Sequence, residues 1–283
     1  LRNVTSELPA ILPPSGAHLA RLWRALMLAL AACLAGCASL PPGQGWVHIS
    51  PGLAHAQVAP WPDSVVHVLR LDLHEPTLRW VATPWAERGN TLDRMPGADA
   101  ALVAVNASFF NRQFDARGWT VSEGLVWPGP LAVKDSPLLA CDRAQRCRIH
   151  FEAPAAPPAD WFNAVAGTPW LVRAGVARSA VDDAACPGLC ANDHPRTAVG
   201  LDASRRFLWI VLVEGRRPGV PGVRLGPLAQ WMQGMGVHDA VNLDGGGSSA
   251  LFIAGRSVMA RPANEPEQRR IANGMLVLRK AWP

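Results

Sequence analysis

Ala240-Val-Asn-Leu-Asp-Gly-Gly-Gly-Ser-Ser249 sets a short apolar strand directly against three consecutive glycines. Strand side chains alternate between faces, so Val241 and Leu243 point into a core while Asn242 and Asp244 leave together on the other side. Glycine accepts backbone angles that side chains forbid and lets a ligand approach the main chain closely. The N–H groups of Gly245, Gly246 and Gly247 are therefore expected to form an anion-binding nest, with Ser248 and Ser249 adding hydroxyls. A carboxylate at a strand end beside such a nest suits a phosphate-bearing substrate. The plainer alternative is a tight glycine turn capped by Asp244. The stretch lacks the Gly-Lys-Ser/Thr of a nucleotide-binding P-loop and the Gly-x-Ser-x-Gly elbow of serine hydrolases.

Around this stretch the chain reads as many strands and few helices. Pro227–Met235 is the best helix, with Pro227 at its first position, Gly236 as cap, and Leu228, Trp231, Met232 and Met235 as a core-facing stripe. Val65–Leu73 alternates and is β-branched, and Leu78–Thr83 is expected to be its hairpin partner. Ala101–Val105 is a short strand ending at Asn106, and Phe207–Val213 is a continuous apolar run, expected at a sheet centre. Leu251–Ile253 and Ser257–Met259 form a hairpin across Gly255-Arg256, and Met275–Leu278 is a last strand. The Pro/Ala-rich residues 153–159 read as a loop between two halves. These elements predict an α+β fold: strand-rich mixed or antiparallel sheets with a few packed helices, forming one catalytic domain over residues 63–283.

The 283 residues are 49% apolar and 17% charged, with a mean hydropathy of +0.08, which is enough to build a large core and excludes wholesale disorder. No fixed-period repeat points to a solenoid or propeller. Basic residues exceed acidic ones by 27 to 22, and all but Lys134 and Lys280 are arginines. No dense basic run interleaved with aromatics supports a nucleic-acid partner, whereas scattered guanidinium groups suit anionic small ligands. The eight histidines show no metal-ligand spacing. No cofactor is required by anything in the sequence, although Asp244 with backbone carbonyls could hold a divalent cation.

Three further clusters stand at strand ends. His194-Pro-Arg-Thr-Ala-Val-Gly200 offers Arg196 as a bidentate phosphate clamp with Thr197 beside it. Glu214-Gly-Arg216 leaves an apolar strand with a carboxylate and a guanidinium two residues apart. Asn106 is followed by Phe109, Phe110 and Asn111. These blocks, with Ala166-Gly-Thr-Pro-Trp-Leu-Val172 and Asn242-Leu-Asp-Gly-Gly-Gly-Ser-Ser249, follow one another in the order found in the phosphodiester glycosidase family, which the chain resembles over roughly residues 65–280. It departs from that family's pattern where Glu214 replaces an aspartate and where Ala107 and Ser108 replace two glycines.

The resemblance implies hydrolysis of a sugar-1-phosphodiester, such as one of N-acetylglucosamine, to free sugar and a phosphomonoester. On that reading Asp244 is base or nucleophile and Glu214 a second carboxylate. Arg196 and the Gly245–Gly247 amides hold the phosphate with Ser248 assisting, beside Thr197 and Arg216, and Asn106 and Asn242 bind sugar hydroxyls. Two other readings remain open. Twelve tryptophans and no tyrosine also suit a non-catalytic glycan-binding module, and the same residues also suit a phosphodiesterase cleaving P–O.

The N-terminal region reads as an address. Arg21 and Arg24 precede a short apolar run, Ala25–Gly36, of signal-peptide type rather than bilayer-spanning length. Leu34-Ala-Gly-Cys37 resembles the lipobox of bacterial lipoproteins, which implies cleavage before Cys37, lipidation of that cysteine and attachment to an envelope membrane, with the outer membrane preferred. Residues 1–36 are then the signal, with an over-extended start, and residues 37–62 a Pro/Gly-rich tether. Cys141, Cys147, Cys186 and Cys190 remain, an even number in an exported chain. The local pairs Cys141–Cys147 and Cys186–Cys190 are the expected disulfides, with a four-thiolate zinc site as the alternative.

Overall fold

A computed structural model describes residues 45–280, residue 96 excepted. The expected signal segment, Cys37 and the first part of the tether lie outside the described residues.

An eight-stranded antiparallel sheet forms the centre. Its order is Val47–Ser50, Leu53–Val58, Val66–Asp72, Phe207–Val213, Arg196–Asp202, Val237–Asn242, Trp170–Arg173 and Val176–Ala177. The apolar run Phe207–Val213 is internal, paired on both edges, as expected of residues buried on both faces. Two five-stranded sheets pack against one face of this sheet. The first has the order Cys147–His150, Leu138–Cys141, Asn163–Ala166, Val121–Ser122, Leu125–Val126. The second has the order Arg256–Ser257, Leu251–Ile253, Val103–Asn106, Gly274–Arg279, Leu78–Ala82. Leu69, Leu71, Ile210 and Val241 of the large sheet meet Trp80, Val105, Val277, Leu139 and Val165 of the small ones in one buried core. The opposite face, carrying Val66, Val68, Val211 and Ala198, is covered by the helix Leu225–Gly234 through Leu228 and Met232. Strand-rich antiparallel sheets with few helices are thus the architecture, in agreement with the α+β expectation.

Several local expectations change. The helix begins two residues before Pro227, because a missing N–H is tolerated anywhere in a first turn whose donors are unpaired. Leu78–Ala82 is a strand but not a hairpin partner of Val66–Asp72. It pairs with Gly274–Arg279 in a different sheet, and the two segments meet through side chains across the core. The hairpin after Leu251 turns at Ala254-Gly255, one residue earlier than expected. Residues 153–159 do not divide the fold into halves. They carry the chain from one side of strand Leu138–Cys141 to the other, within a single sheet. Residues 47–58 are not tether. They form a hairpin about Pro51-Gly52 that extends the large sheet, with Leu53, Ala54 and Ala56 buried.

Both local disulfides are present, Cys141–Cys147 closing the turn between two paired strands and Cys186–Cys190 spanning a short helical turn. With all four sulfurs bonded in pairs, the zinc alternative does not hold. Among the described residues no helix is long and apolar enough to cross a membrane.

Candidate active site

The strand Val237–Asn242 delivers Asp244 to the end of the central sheet, where the family blocks converge as brackets around the glycine loop. Asp244 N–H donates to Ala107 O at 2.8 Å, and Leu243 N–H to Thr197 O at 2.8 Å. Asn106 is buried, and its amide is fully engaged. Its Nδ2 donates to Asp244 O at 2.5 Å, and its Oδ1 accepts from Thr197 Oγ1 at 2.8 Å and from Ala250 N–H at 3.1 Å. Asn242 is buried too, donating through Nδ2 to Thr168 O at 2.7 Å. The Gly-Thr-Pro block therefore clasps the strand that carries Asp244. Asn106 and Thr197 are brackets spent on each other and on the backbone, whereas the Asn242 Oδ1 is buried without a hydrogen-bond partner. A buried side chain bonded as Asn106 is fixes a loop's position rather than reads a ligand.

Arg196 differs most from its expected role. It is 1% exposed, on the same strand face as Ala198, which packs towards the helix layer. Its Nε donates to Val223 O at 2.9 Å and its Nη2 to the carbonyls of Leu189 and Asn192 at 2.8 and 2.7 Å. The edge that would clamp a phosphate is spent on the backbone. Arg196 ties the disulfide-closed turn Pro187–Cys190 to the sheet.

Glu214 is 4% exposed, and both of its oxygens are taken. Oε1 accepts from Ala260 N–H at 2.8 Å and meets His67 Nε2 at 3.1 Å, while Oε2 pairs with Arg217. Burial opposes its ionisation, but the hydrogen bonds from His67, Ala260 and Arg217 outweigh this and hold its carboxyl below the usual range. His67 passes the contact on to His55, stacked against it. This carboxylate braces the segment after Met259. It is not free to face substrate.

The glycine loop is partly used by the fold. Gly245 N–H donates to Asp244 Oδ1 at 2.9 Å and Gly246 N–H to Pro195 O at 2.9 Å. Among the described residues only the Gly247 N–H of the three has no acceptor, so the expected three-amide nest reduces to one amide. The hydroxyls of Ser248 and Ser249 are buried without a hydrogen-bond partner, which is costly unless a ligand or water supplies one. Gly246 has φ +60°, and a Cβ there would press on the Arg216 guanidinium. A Cβ at Gly247 would collide with the ion-paired side chains of Glu265 and Arg269. Two cations thus lie over the loop. Arg216 was expected among the site residues. Arg269 was not, and neither was His194, whose Nδ1 lies 3.2 Å from Arg216 Nη2. Burial, Arg196 and Arg216 push the His194 pKa down, so it accepts from Arg216 as a neutral ring.

Asp244 is half-buried. Burial raises its carboxyl pKa to about 6, against the lowering effects of the nearby Ser248 hydroxyl, the Gly245 N–H and Arg269. The site therefore joins a carboxylate that titrates near neutrality to a free amide, two unpartnered hydroxyls and two guanidinium groups. That set suits a proton transfer or nucleophilic attack next to a bound phosphate. Among the described residues no group of three or more His, Cys, Asp or Glu stands together as a metal site.

Fold and site together define a strand-rich α+β domain with an acidic residue at a sheet end against a glycine loop. The family model for phosphodiester glycosidases matches residues 99–278, well over half of the sequence, and the chain belongs to that family. No curated protein sequence matches it. Among solved structures it is similar to the catalytic domain of zebrafish N-acetylglucosamine-1-phosphodiester alpha-N-acetylglucosaminidase auto-inhibited by its pro-peptide. The TM-score is 0.65 at 17% identity, over 86% of this chain and 87% of that one. It is also similar to a hypothetical protein from Synechocystis, with TM-score 0.62 and 16% identity, over 83% of this chain but only 63% of that chain's length. At these identities the likeness is one of fold.

Proposed function

We propose that this chain hydrolyses a sugar-1-phosphodiester at the bond between the anomeric carbon and the phosphate oxygen, releasing free sugar and a phosphomonoester. The observation that carries the reading is Asp244, half-buried with its pKa raised to about 6, at the head of a loop with free phosphate donors. The C–O electron pair leaves with the phosphate, a good leaving group that needs little acid assistance. One carboxylate then suffices where ordinary glycosidases use two, which is consistent with Glu214 being committed elsewhere. Asp244 takes the proton of the attacking water or attacks the anomeric carbon itself. Arg216, Arg269, the Gly247 amide and the Ser248 hydroxyl hold the phosphate and stabilise its growing charge, at ~3 kcal/mol for a well-placed donor. An N-acetylglucosamine-1-phosphodiester is the first substrate to test, by family membership.

As base or nucleophile Asp244 acts ionised. Turnover is therefore expected to fall about tenfold per pH unit below about pH 6, and to level off above it. A kcat/KM profile of sugar release from pH 4 to 8 checks this, and a rate that rises as pH falls would remove Asp244 from the role. The glycan-binding alternative finds less support, because none of the residues lining the cavity beside the glycine loop is a tryptophan. Trp80, Trp127 and Trp161 are buried in cores instead. The two disulfides support an oxidising, exported setting. We extend this to a lipoprotein held at the cell envelope through Cys37. A Cys37→Ser variant should then leave the membrane fraction for the soluble one, and unchanged partition would reject the anchor.

A further inference from the structure

The glycine loop opens on one side into a cavity of about 740 Å³, bounded by the segments 89–94 and 257–270. Gly247 and Ser249 are among the residues that line it. These residues contribute an unpartnered backbone N–H and an unpartnered hydroxyl, and Ser249 is only 5% exposed. The cavity therefore reaches the Gly247 amide, one of the donors assigned to the phosphate. It is far larger than one phosphate requires, within the ~300–1,000 Å³ range of small-molecule sites.

Its walls carry mostly charged and polar side chains, with Phe252 as the one aromatic. Arg94 and Arg261 line it and form no ion pair among the described residues. Arg270 also lines it, stacked on Phe114 with its Nε donating to Gly89 O. Against these stand Asp93, which accepts from the Gln268 side-chain amide, and Glu267. Unpaired guanidinium groups about a polar cavity suit oxyanions such as phosphates, whose oxygen pairs match the planar guanidinium fork. Among the lining residues Phe252 alone is aromatic, which gives a neutral sugar chain little stacking surface.

We propose that this cavity is the subsite for the alcohol side of the phosphodiester, and that it takes an aglycone bearing a second phosphate, read by Arg94 and Arg261. The inference rests on the hydrolase reading above and names its substrate class: a sugar-1-phosphodiester whose aglycone is itself phosphorylated, as in a chain of phosphodiester-linked units.

The test uses two synthetic diesters of N-acetylglucosamine-1-phosphate, one with a methyl aglycone and one with a glycerol aglycone ending in a phosphomonoester. For the wild-type chain the phosphorylated aglycone is expected to give at least tenfold higher kcat/KM, mostly through KM. In Arg94→Gln and Arg261→Gln that ratio is expected to fall towards one. Equal kcat/KM on both diesters, or a ratio that survives both substitutions, would overturn the proposal. If neither diester is hydrolysed, the hydrolase reading fails for this sugar, and calorimetric binding to the Asp244→Asn chain decides the cavity separately. Tighter binding of the phosphorylated aglycone that is lost on Arg261→Gln supports the subsite, and equal binding of the two overturns it.

Discussion

Asp244→Asn is expected to lower turnover by ~10³-fold or more, the scale for removing a nucleophile or base, and at the same time to make the protein more stable at pH 7. Burial raises the Asp244 carboxyl from 3.8 in the unfolded chain to about 6 in the folded one. Between those values the folded state keeps a proton that the unfolded state has released. Stability contributed at this site is then present at low pH and is lost as pH rises towards about 6. At pH 7 the charged carboxylate costs the fold ~2 kcal/mol, allowing for its partial exposure. Asparagine removes that cost, so the melting temperature should rise by about 4–8 °C at pH 7 for a domain of this size, and by little at pH 4. An unchanged melting temperature at pH 7 would mean that the carboxylate is not held against its solvation.

The second large effect separates two arginines that sequence alone treats as equivalent. Arg216→Ala should reduce kcat/KM by ~10²–10³-fold, the range for losing one electrostatic donor. Its melting temperature should stay near that of the wild type, because Arg216 is half-exposed and its side-chain partner is His194. Arg196→Ala should show the opposite pattern. Losing a buried guanidinium strands the carbonyls of Val223, Leu189 and Asn192, so the protein should melt earlier whatever its rate. Thermal scans set beside kinetics check both. An Arg216→Ala chain with full activity would take that residue out of phosphate binding.

Much of the fold is legible in the chain. The stripe Leu228, Trp231, Met232, Met235 gives the helix, the run Phe207–Val213 gives an internal strand, and cysteine proximity gives both disulfides. The pairing of Leu78–Ala82 was not legible, since apolar alternation fixes which face is buried but not which strand is the neighbour. The site divides in the same way. Asp244 and its glycine loop are read directly from residues 240–249. Arg196 shows where motif reading stops: the residue type suited phosphate, but strand alternation from Ala198 puts it on the helix side. Both faces of that strand are buried, so the sequence did not tell which layer Arg196 would join. Arg269 and Glu265 lie in a proline-rich stretch without periodicity, and only the Ala260–Glu214 and Ala263–Arg216 hydrogen bonds bring that stretch to the loop. No local pattern announces such contacts.

The central claim is cleavage at the anomeric carbon. Hydrolysis of an N-acetylglucosamine-1-phosphodiester in ¹⁸O-labelled water, read by mass spectrometry of both products, tests it most directly. Label in the free sugar and none in the phosphomonoester is the expected result. Label in the phosphomonoester would contradict it and make the protein a phosphodiesterase that breaks P–O.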